Sequence, residues 1–404
     1  MPSLFETLIG EATLLTARGN LLDATAAIQR ALSGSPSMPT ASGAARSADA
    51  SVLDGLVREV ADRPTDRVRP PVPPAAREPG SAAPARPDVP AAGRFDAHQH
   101  SGPFGTRSYK LFVPGGHEGR ALPLIVMLHG CSQSPDDFAA GTRMNEVAQE
   151  RGFLVLYPAQ APRSNQSKCW NWFAPGDQHR DGGEPALLAE MTRHVAATHD
   201  VDPRRIYVAG LSAGAAMADI LGREYPDLFA AVGVHSGLPQ GAAHDVASAF
   251  AVMRNGAAAA GPLSGAMPFA REPARPRRAP ASGASAGVAS RAARTIVFHG
   301  DADPTVHPSN GDQVLDAALQ SAGSESVQTT TVKSAAAGRA YTRTVHRRSG
   351  AAPEEASLAE QWVIHGAGHA WSGGSPKGSY ADASGPDASR EMVRFFEEHP
   401  LPAR

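Results

Sequence analysis

The stretch IYVAGLSAGAAMADILGREY, residues 206–225, decides the fold of this chain. It opens with an apolar run typical of a buried strand and closes with a run that favours a helix. At the junction stands Ser212, with Gly210 and Gly214 two residues away on either side. A nucleophile elbow needs this pattern, because its serine occupies a strained turn and only small neighbours let strand and helix pass so closely. We predict that Ser212 is a nucleophile; the alternative is an ordinary glycine-rich turn.

The other members of a serine triad follow in the order acid, then histidine, that an α/β-hydrolase uses. Asp301 and Asp303 come directly after one apolar run, and His365 and His369 come after another. The serine hydroxyl needs an imidazole to take its proton, and a carboxylate fixes the tautomer of that imidazole. The residues alone therefore offer two candidate acids and two candidate bases.

An oxyanion hole is predicted from two backbone positions. One N–H comes from the residue after the nucleophile, here Ala213, and the other from the loop after an early strand. The strongly apolar run 124–128 ends in His129, Gly130 and Cys131, so Cys131 is the expected second donor. We expect His129 to brace this loop from a buried position, because a backbone donor needs no imidazole chemistry beside it.

Several separated blocks resemble, in the same order, the esterase family of polyhydroxybutyrate depolymerases, which is related to feruloyl and acetylxylan esterases. The blocks are LHGC at 128–131, YPAQ at 157–160, CWNWF at 169–173, GLSAGAAM at 210–217, the run 299–310 and GHAWSGG at 368–374. The resemblance spans about residues 105–399. It implies that Ser212 is the nucleophile, Asp303 the triad acid and His369 the general base. The other aspartate and histidine of those loops remain the second choices.

Strand and helix candidates alternate through this region. Apolar strand candidates lie at 122–128, 153–157, 205–209, 230–234, 294–298 and 361–364. Helix candidates lie at 136–150, 185–199, 213–225, 312–321 and 388–399. Continuous apolar strands between helices predict an α/β fold with a mostly parallel sheet covered by helices on both faces. The resemblance implies that this is the α/β-hydrolase fold, with a catalytic domain at 105–399.

The rest of the chain is predicted to lie outside the catalytic core. Residues 1–33 carry two amphipathic runs separated by Gly19 and Asn20, which predicts a helical hairpin. Residues 34–104 are rich in proline and alanine and predict a disordered linker. A second low-complexity stretch at about 256–291 predicts a surface insertion, with a lid over the site as the alternative.

Charge and apolar patterning exclude several classes of partner. The 404-residue chain has a formal net charge of −2, which gives no reason to expect nucleic acid or an anionic membrane. No apolar run reaches the length of a transmembrane helix, and the amino terminus lacks the pattern of a secretory signal. We therefore expect a cytoplasmic or granule-associated protein, although the family that it resembles is typically extracellular. The hairpin at 1–33 is either a docking element or an anchor on a polyhydroxyalkanoate granule.

The two cysteines, Cys131 and Cys169, lie in blocks shared with that family. The resemblance favours a disulfide between them, worth about 3–4 kcal/mol on the chain-entropy model. Because a reducing cytoplasm disfavours disulfides, two small buried thiols are the alternative. The cysteines and histidines show no spacing typical of a zinc site, so neither a metal nor another cofactor is expected.

The CWNWF and GHAW blocks carry Trp170, Asn171, Trp172 and Trp371 on loops of polar and small residues. Tryptophans on such loops favour a substrate-binding cleft, with burial in the core as the alternative. The motifs predict a serine esterase that acts through an acyl-enzyme, and the resemblance implies that it cleaves polyhydroxybutyrate or its oligomers, or another small ester. The alternatives are a carbohydrate esterase of the feruloyl or acetylxylan type, and a granule-associated binding protein with a vestigial triad.

Overall fold

The computed structural model of the protein describes residues 93–117, 119–256, 293–323, 327–352 and 355–403. The helical hairpin predicted at 1–33 lies outside these ranges. Residues 34–92 of the predicted linker and residues 257–291 of the predicted insertion lie outside them as well.

Ten strands form one sheet. They are β1 (Arg94–Gly102), β2 (Gly105–Val113), β3 (Leu122–Leu128), β4 (Leu154–Pro158), β5 (Val201–Leu211), β6 (Ala231–His235), β7 (Arg294–Gly300), β8 (Val327–Ala336), β9 (Arg339–Arg348) and β10 (Ala359–Ile364). Their order across the sheet is β1-β2-β4-β3-β5-β6-β7-β10-β9-β8. The central strands from β4 to β10 pair in parallel, whereas the hairpins β1–β2 and β8–β9 add antiparallel edges. The mostly parallel sheet predicted from the sequence is confirmed.

Helices cover both faces of this sheet. Those in the described ranges are α1 (Pro135–Thr142), α2 (Met144–Arg151), α3 (Gly183–Thr198), α4 (Ala213–Glu224), α5 (Val246–Asn255), α6 (Ser309–Ser321) and α7 (Ala388–Glu397). On β3, Leu124, Val126 and Leu128 pack in one buried cluster with α3 and α4. Ile125 and Met127 pack in a second cluster with α1, α2 and α7. The two-residue period of a strand thus sends one continuous apolar run into two cores.

Long apolar helices are missing from this part of the chain. None of the helices just named has both the length and the hydropathy needed to cross a membrane.

The edges of the sheet differ from the sequence-based expectation. Residues 94–102 form β1, so the linker predicted at 34–104 extends too far and the catalytic domain begins before residue 105. β1 and β8 expose most of their side chains, and such strands show no apolar alternation by which to predict them. The helix predicted at 136–150 is two helices, because Arg143 adopts a left-handed backbone with a φ of 57° that ends α1.

A buried ion cluster ties β10 to two of its neighbours. The carboxylate of Glu360 on β10 lies 2.9 Å from Arg343 of β9 and 2.7 Å from Arg394 of α7. Glu360 is 1% exposed. Burial alone would raise the pKa of Glu360, but the two guanidinium groups outweigh it and hold that pKa below its ordinary value. The charged form of Glu360 therefore stabilises the packing of β10.

Glu360→Gln is expected to lower the free energy of unfolding at pH 7 by about 1.5–3 kcal/mol, because it weakens charged hydrogen bonds in the interior. The folded-state pKa is depressed, so the stabilisation is complete above the ordinary glutamate pKa and is lost as pH falls through the folded-state pKa. The difference between wild type and variant should therefore shrink with acidification in urea titrations. The control is Glu150→Gln, whose ion pair with Arg390 is half exposed and should contribute less than about 1 kcal/mol. Equal losses in the two variants would contradict the role assigned to Glu360.

Candidate active site

Ser212 occupies the sharp turn between β5 and α4. Its backbone has a φ of 58° and a ψ of −122°, a conformation that strains a residue other than glycine. The Ser212 N–H donates to the His235 carbonyl at the end of β6 over 3.0 Å. The turn is thereby fixed against the neighbouring strand, and the serine sits at the carboxyl edge of the parallel sheet.

Two glycines make this turn possible through close packing rather than flexibility. A Cβ on Gly210 would lie 2.4 Å from the carbonyl carbon of Gly214. A Cβ on Gly214 would lie 2.1 Å from the Leu128 oxygen and 2.5 Å from the His129 oxygen. The first turn of α4 therefore rests directly on the end of β3, which places Ser212 beside the loop that follows β3.

Asp303 and His369 form a buried acid–imidazole pair. His369 Nδ1 lies 2.7 Å from Asp303 Oδ2, and the carboxylate is fully buried. The other carboxylate oxygen accepts the N–H groups of Thr305 at 2.8 Å and Val306 at 2.9 Å. Burial alone would raise the pKa of Asp303, but hydrogen bonds from His299 and His369 outweigh it and hold that pKa far below its ordinary value. Asp303 is therefore an anion that fixes the orientation of the His369 ring.

Asp301 and His365, the second choices, pair with each other instead. His365 Nδ1 lies 2.8 Å from Asp301 Oδ2, and the Gly366 N–H donates to the same carboxylate. His365 Nε2 is 2.8 Å from the Thr342 hydroxyl on β9. Both side chains of this pair are about 40% exposed. The structure thus holds two separate Asp–His pairs, and the more buried one is the pair with Asp303 that the resemblance favours.

His235, at the end of β6, joins the two halves of the site, although no motif in the sequence pointed to it. Its carbonyl accepts the Ser212 N–H, and its Nε2 accepts the Ser372 N–H over 3.0 Å in the loop after His369. Burial, together with the nearby His299 and His369, lowers the pKa of His235 to about 3. The ring is therefore neutral and can accept this hydrogen bond. Its place at the end of a predicted central strand was the available signal.

The serine and the histidine lie at the same edge without a direct bond. Within the described ranges, no hydrogen bond joins the Ser212 hydroxyl to His369. The strands β5, β6, β7 and β10 are consecutive neighbours, so the loops that carry Ser212, Asp303 and His369 meet at one edge of the sheet. Hydrogen bonds of catalytic sites often form only when substrate binds, so their absence here does not argue against a role for the two residues together.

Two backbone N–H groups are the candidate oxyanion donors: Ala213 follows Ser212, and Cys131 follows Gly130, whose added Cβ would lie 3.6 Å from the Ser212 Cβ. Among the residues that the structure describes, neither the Ala213 N–H nor the Cys131 N–H has a protein acceptor. Ala213 begins α4, so its N–H also lies at the positive end of the helix dipole. On the loop after β3, the Gly130 N–H donates to Gln133 Oε1 over 2.8 Å, which holds the loop in shape. An N–H group without a protein acceptor can stabilise a developing oxyanion, so both N–H groups remain candidate donors.

His129 braces that loop from the interior. Its Nδ1 donates to the Gly130 carbonyl over 2.7 Å, and its Nε2 accepts the Gln160 N–H over 3.1 Å. The Trp170 indole donates to the His129 carbonyl over 3.0 Å. Burial lowers the pKa of His129 to about 4, so the ring is neutral at pH 7. His129 therefore fills a structural role beside the backbone donors.

A disulfide joins Cys131 to Cys169. It links the loop after β3 to the segment that carries Trp170. Next to it, the Ser132 N–H donates to the Ser167 carbonyl over 2.7 Å, so the two segments are held by a backbone bond as well. The loop that carries Cys131 is thus fixed covalently as well as by hydrogen bonds.

The predicted substrate contacts need a correction, because the three tryptophans are buried. Trp170 is 0% exposed, Trp371 1% and Trp172 5%. Trp371 stacks on His235 at 5.0 Å between ring centroids and so supports the site from below. Asn171 is partly buried; its backbone N–H donates to Glu184 Oε2 on α3 over 2.8 Å, and its side-chain oxygen accepts the Asn165 amide over 3.0 Å. The polar loops fold back over these rings, a feature that composition does not reveal.

The described residues contain no cluster of metal-binding side chains. Within the described ranges, no three His, Cys, Asp or Glu side chains lie together as a cation site would require.

Comparison with known proteins places the chain in a family. The family described as Esterase PHB depolymerase matches residues 107–343, more than half of the chain. The chain belongs to this family. The resemblance seen in the sequence blocks is therefore confirmed.

The names of similar proteins indicate different substrates. Poly(3-hydroxyalkanoate) depolymerase C from Paucimonas lemoignei is 32% identical over 274 residues, which cover 66% of this chain and 60% of that protein. Feruloyl esterase B from Thermothelomyces thermophilus is 32% identical over 197 residues, covering 48% of this chain and 63% of that protein. The chain therefore spans less than two thirds of the length of both relatives.

A solved structure shows the same fold. The acetyl xylan esterase from Aspergillus awamori aligns with 75% of this chain and 99% of its own, at a TM-score of 0.51 and 17% identity. The α/β-hydrolase fold predicted for this member of the Esterase PHB depolymerase family is thereby confirmed.

Gly214→Ala is expected to destabilise the protein by about 1–3 kcal/mol, because the new Cβ overlaps the Leu128 and His129 carbonyl oxygens. The loss should appear although alanine has the better helix propensity. The control is Gly176→Ala, where no atom lies within 4 Å of the added Cβ. Thermal unfolding followed by circular dichroism compares the two variants. A Gly214→Ala protein as stable as the control would contradict the packing described for the elbow.

Proposed function

We propose that this protein is a serine esterase that hydrolyses carboxylic esters. Ser212 is the nucleophile, His369 the general base and Asp303 its carboxylate partner. The observation that carries the proposal is the buried 2.7 Å bond between His369 and Asp303, at the sheet edge that also bears the strained Ser212. The intact bond gives no support to the alternative of a binding protein with a vestigial triad.

The proposed reaction begins when the Ser212 hydroxyl oxygen attacks the ester carbonyl carbon. His369 is held through Nδ1 by Asp303, so its Nε2 takes the serine proton. The N–H groups of Ala213 and Cys131 bind the oxyanion of the tetrahedral intermediate. His369 then gives its proton to the leaving alcohol, and an acyl-enzyme on Ser212 remains.

The second half of the reaction releases the acid. Water enters after the alcohol has left, and His369 takes a proton from it as it attacks the acyl carbonyl. The oxyanion forms again at the same two N–H groups and collapses to release the carboxylic acid and Ser212. Asp303 remains an anion throughout, since its depressed pKa keeps it ionised while the imidazolium forms beside it.

Asp303→Asn should lower kcat for a short p-nitrophenyl ester by about ten-thousand-fold, because an amide no longer selects the working tautomer of His369. The matched control is Asp301→Asn, which breaks the exposed pair with His365 and should change kcat by less than about tenfold. Ser212→Ala should abolish the acyl-enzyme route. Steady-state kinetics of the three variants decide between the two Asp–His pairs. A larger loss in Asp301→Asn than in Asp303→Asn would reverse the assignment.

For the substrate, we propose poly(3-hydroxybutyrate) or its oligomers. The family membership and the likeness to a poly(3-hydroxyalkanoate) depolymerase support this choice. A feruloyl or acetylxylan type of activity is the second candidate, since the chain is equally identical to feruloyl esterase B over a shorter stretch. We also propose that residues 1–33 bind a polyhydroxyalkanoate granule; that segment lies outside the described ranges.

Purified wild type is expected to release 3-hydroxybutyrate from native amorphous granules, and Ser212→Ala is expected to release none. Acetylated xylan and a feruloyl ester of arabinose serve as parallel substrates, and product acids are measured by chromatography. Faster release of acetate or ferulate than of 3-hydroxybutyrate would contradict the polyester proposal and favour the carbohydrate esters.

A further inference from the structure

Tyr380 is an exposed aromatic residue in contact with His369 of the candidate site. It is 48% exposed, whereas the tryptophans predicted to meet the substrate are buried. Its ring centroid lies 6.3 Å from that of His369, with the planes at 77°, so the two rings meet edge to face. Among the described residues the phenol has no hydrogen-bond partner. An apolar ring surface thus lies open to solvent directly beside the proposed general base.

The backbone of Tyr380 is held in an unfavourable conformation. Its φ is 50°, in the left-handed region that a residue with a Cβ seldom adopts. The Tyr380 carbonyl accepts the Trp371 N–H over 2.7 Å. Strain of this kind persists only where the surroundings impose it, and it concentrates at functional sites.

The surroundings that impose this conformation are a polar clamp on Ser379. The Ser379 N–H and hydroxyl donate to the two carboxylate oxygens of Asp137 on α1, over 2.8 Å and 2.6 Å. The Gln133 amide donates to the Ser379 carbonyl over 3.0 Å. Burial alone would raise the pKa of Asp137, but the bonds from Ser379 outweigh it and lower that pKa, so the clamp is anionic.

The same clamp reaches the oxyanion loop. Gln133 uses its oxygen for the Gly130 N–H at 2.8 Å and its nitrogen for Ser379 and Asp137. Close packing adds to this, because a Cβ on Gly378 would lie 2.4 Å from the Gly141 nitrogen on α1. Gln133 therefore connects the segment before Tyr380 to the loop that carries Cys131, the proposed second oxyanion donor.

The chemistry of the site indicates which part of an ester would meet this ring. In acylation, the general base gives its proton to the departing alcohol, so the alcohol portion lies on the histidine side of the scissile bond. Tyr380 is the exposed ring against His369. We propose that Tyr380 forms the subsite for the alcohol portion of the ester and binds its apolar surface with the ring face. This inference rests on the proposed function, and it specifies that Tyr380 recognises the alcohol side of the substrate.

The test compares Tyr380→Ala with wild type on three esters: methyl butanoate, phenylpropyl butanoate and methyl phenylbutanoate. We expect kcat/KM for phenylpropyl butanoate to fall by about three- to tenfold, the size of a lost aromatic contact. The two methyl esters should change by less than about twofold, because they present no large alcohol. Tyr380→Phe should retain most of the wild-type value, because the ring face and not the hydroxyl carries the contact.

A second readout separates binding of the alcohol from damage to His369. The alcohol has left before deacylation, so Tyr380→Ala should leave the steady rate after the burst with p-nitrophenyl butanoate unchanged. The control is Phe104→Ala, which removes an aromatic of similar exposure, 46%, from the β1–β2 turn. It should leave the preference between the three esters unchanged.

Several results would overturn the inference. They are an equal loss on all three esters, a loss confined to methyl phenylbutanoate, a slower deacylation, a Tyr380→Phe variant as impaired as Tyr380→Ala, or the same shift in Phe104→Ala. Failure of wild type to cleave any ester would instead remove the proposed function, and this inference with it.

Discussion

The close contact between the first turn of α4 and the end of β3 is the constraint on which the site depends. A side chain at Gly214 would overlap the carbonyl oxygens of Leu128 and His129, so only glycine lets the helix start there. That contact holds Ser212 in a strained turn and sets the start of α4 beside the loop that carries Cys131. The positions of the proposed nucleophile and of the proposed donor Ala213 are thus a consequence of backbone packing at the ends of neighbouring parallel strands. The disulfide and the neutral His129 hold the other side of the same contact.

The second half of the site reaches Ser212 across β6. His235 is neutral because it is buried, and it binds the elbow through its carbonyl and the segment after His369 through its ring. Asp303 is held as an anion by hydrogen bonds that outweigh its burial. The neutral His235, the charged Asp303 and the fixed His369 ring therefore lie at or just after the ends of the adjacent strands β6, β7 and β10. The electrostatic roles follow from position in the sheet, since the same residue types in the Asp301–His365 pair are exposed.

Structural elements whose apolar residues are buried could be predicted from the sequence. The continuous apolar runs predicted the central strands, and the elbow motif predicted the sharp turn from strand to helix at Ser212. Contacts between distant segments could not be predicted. The strands β1 and β8 expose most of their side chains on both faces, so no alternation of apolar and polar residues marks them. The polar neighbours of the three tryptophans predicted that these side chains line a cleft, yet the loops bury them. Tyr380 is distinguished by its exposure and its positive φ, and neither property is visible in composition.

The measurement that tests the central claim most directly is the site of covalent modification by a fluorophosphonate, which reacts with activated serine nucleophiles. The protein would be labelled at neutral pH, digested, and its peptides analysed by mass spectrometry. We predict one adduct per chain, on Ser212, with no labelling of Ser212→Ala and much slower labelling of Asp303→Asn. An adduct on another residue, or undiminished labelling of the Ser212→Ala protein, would contradict the proposal that the elbow carries the nucleophile.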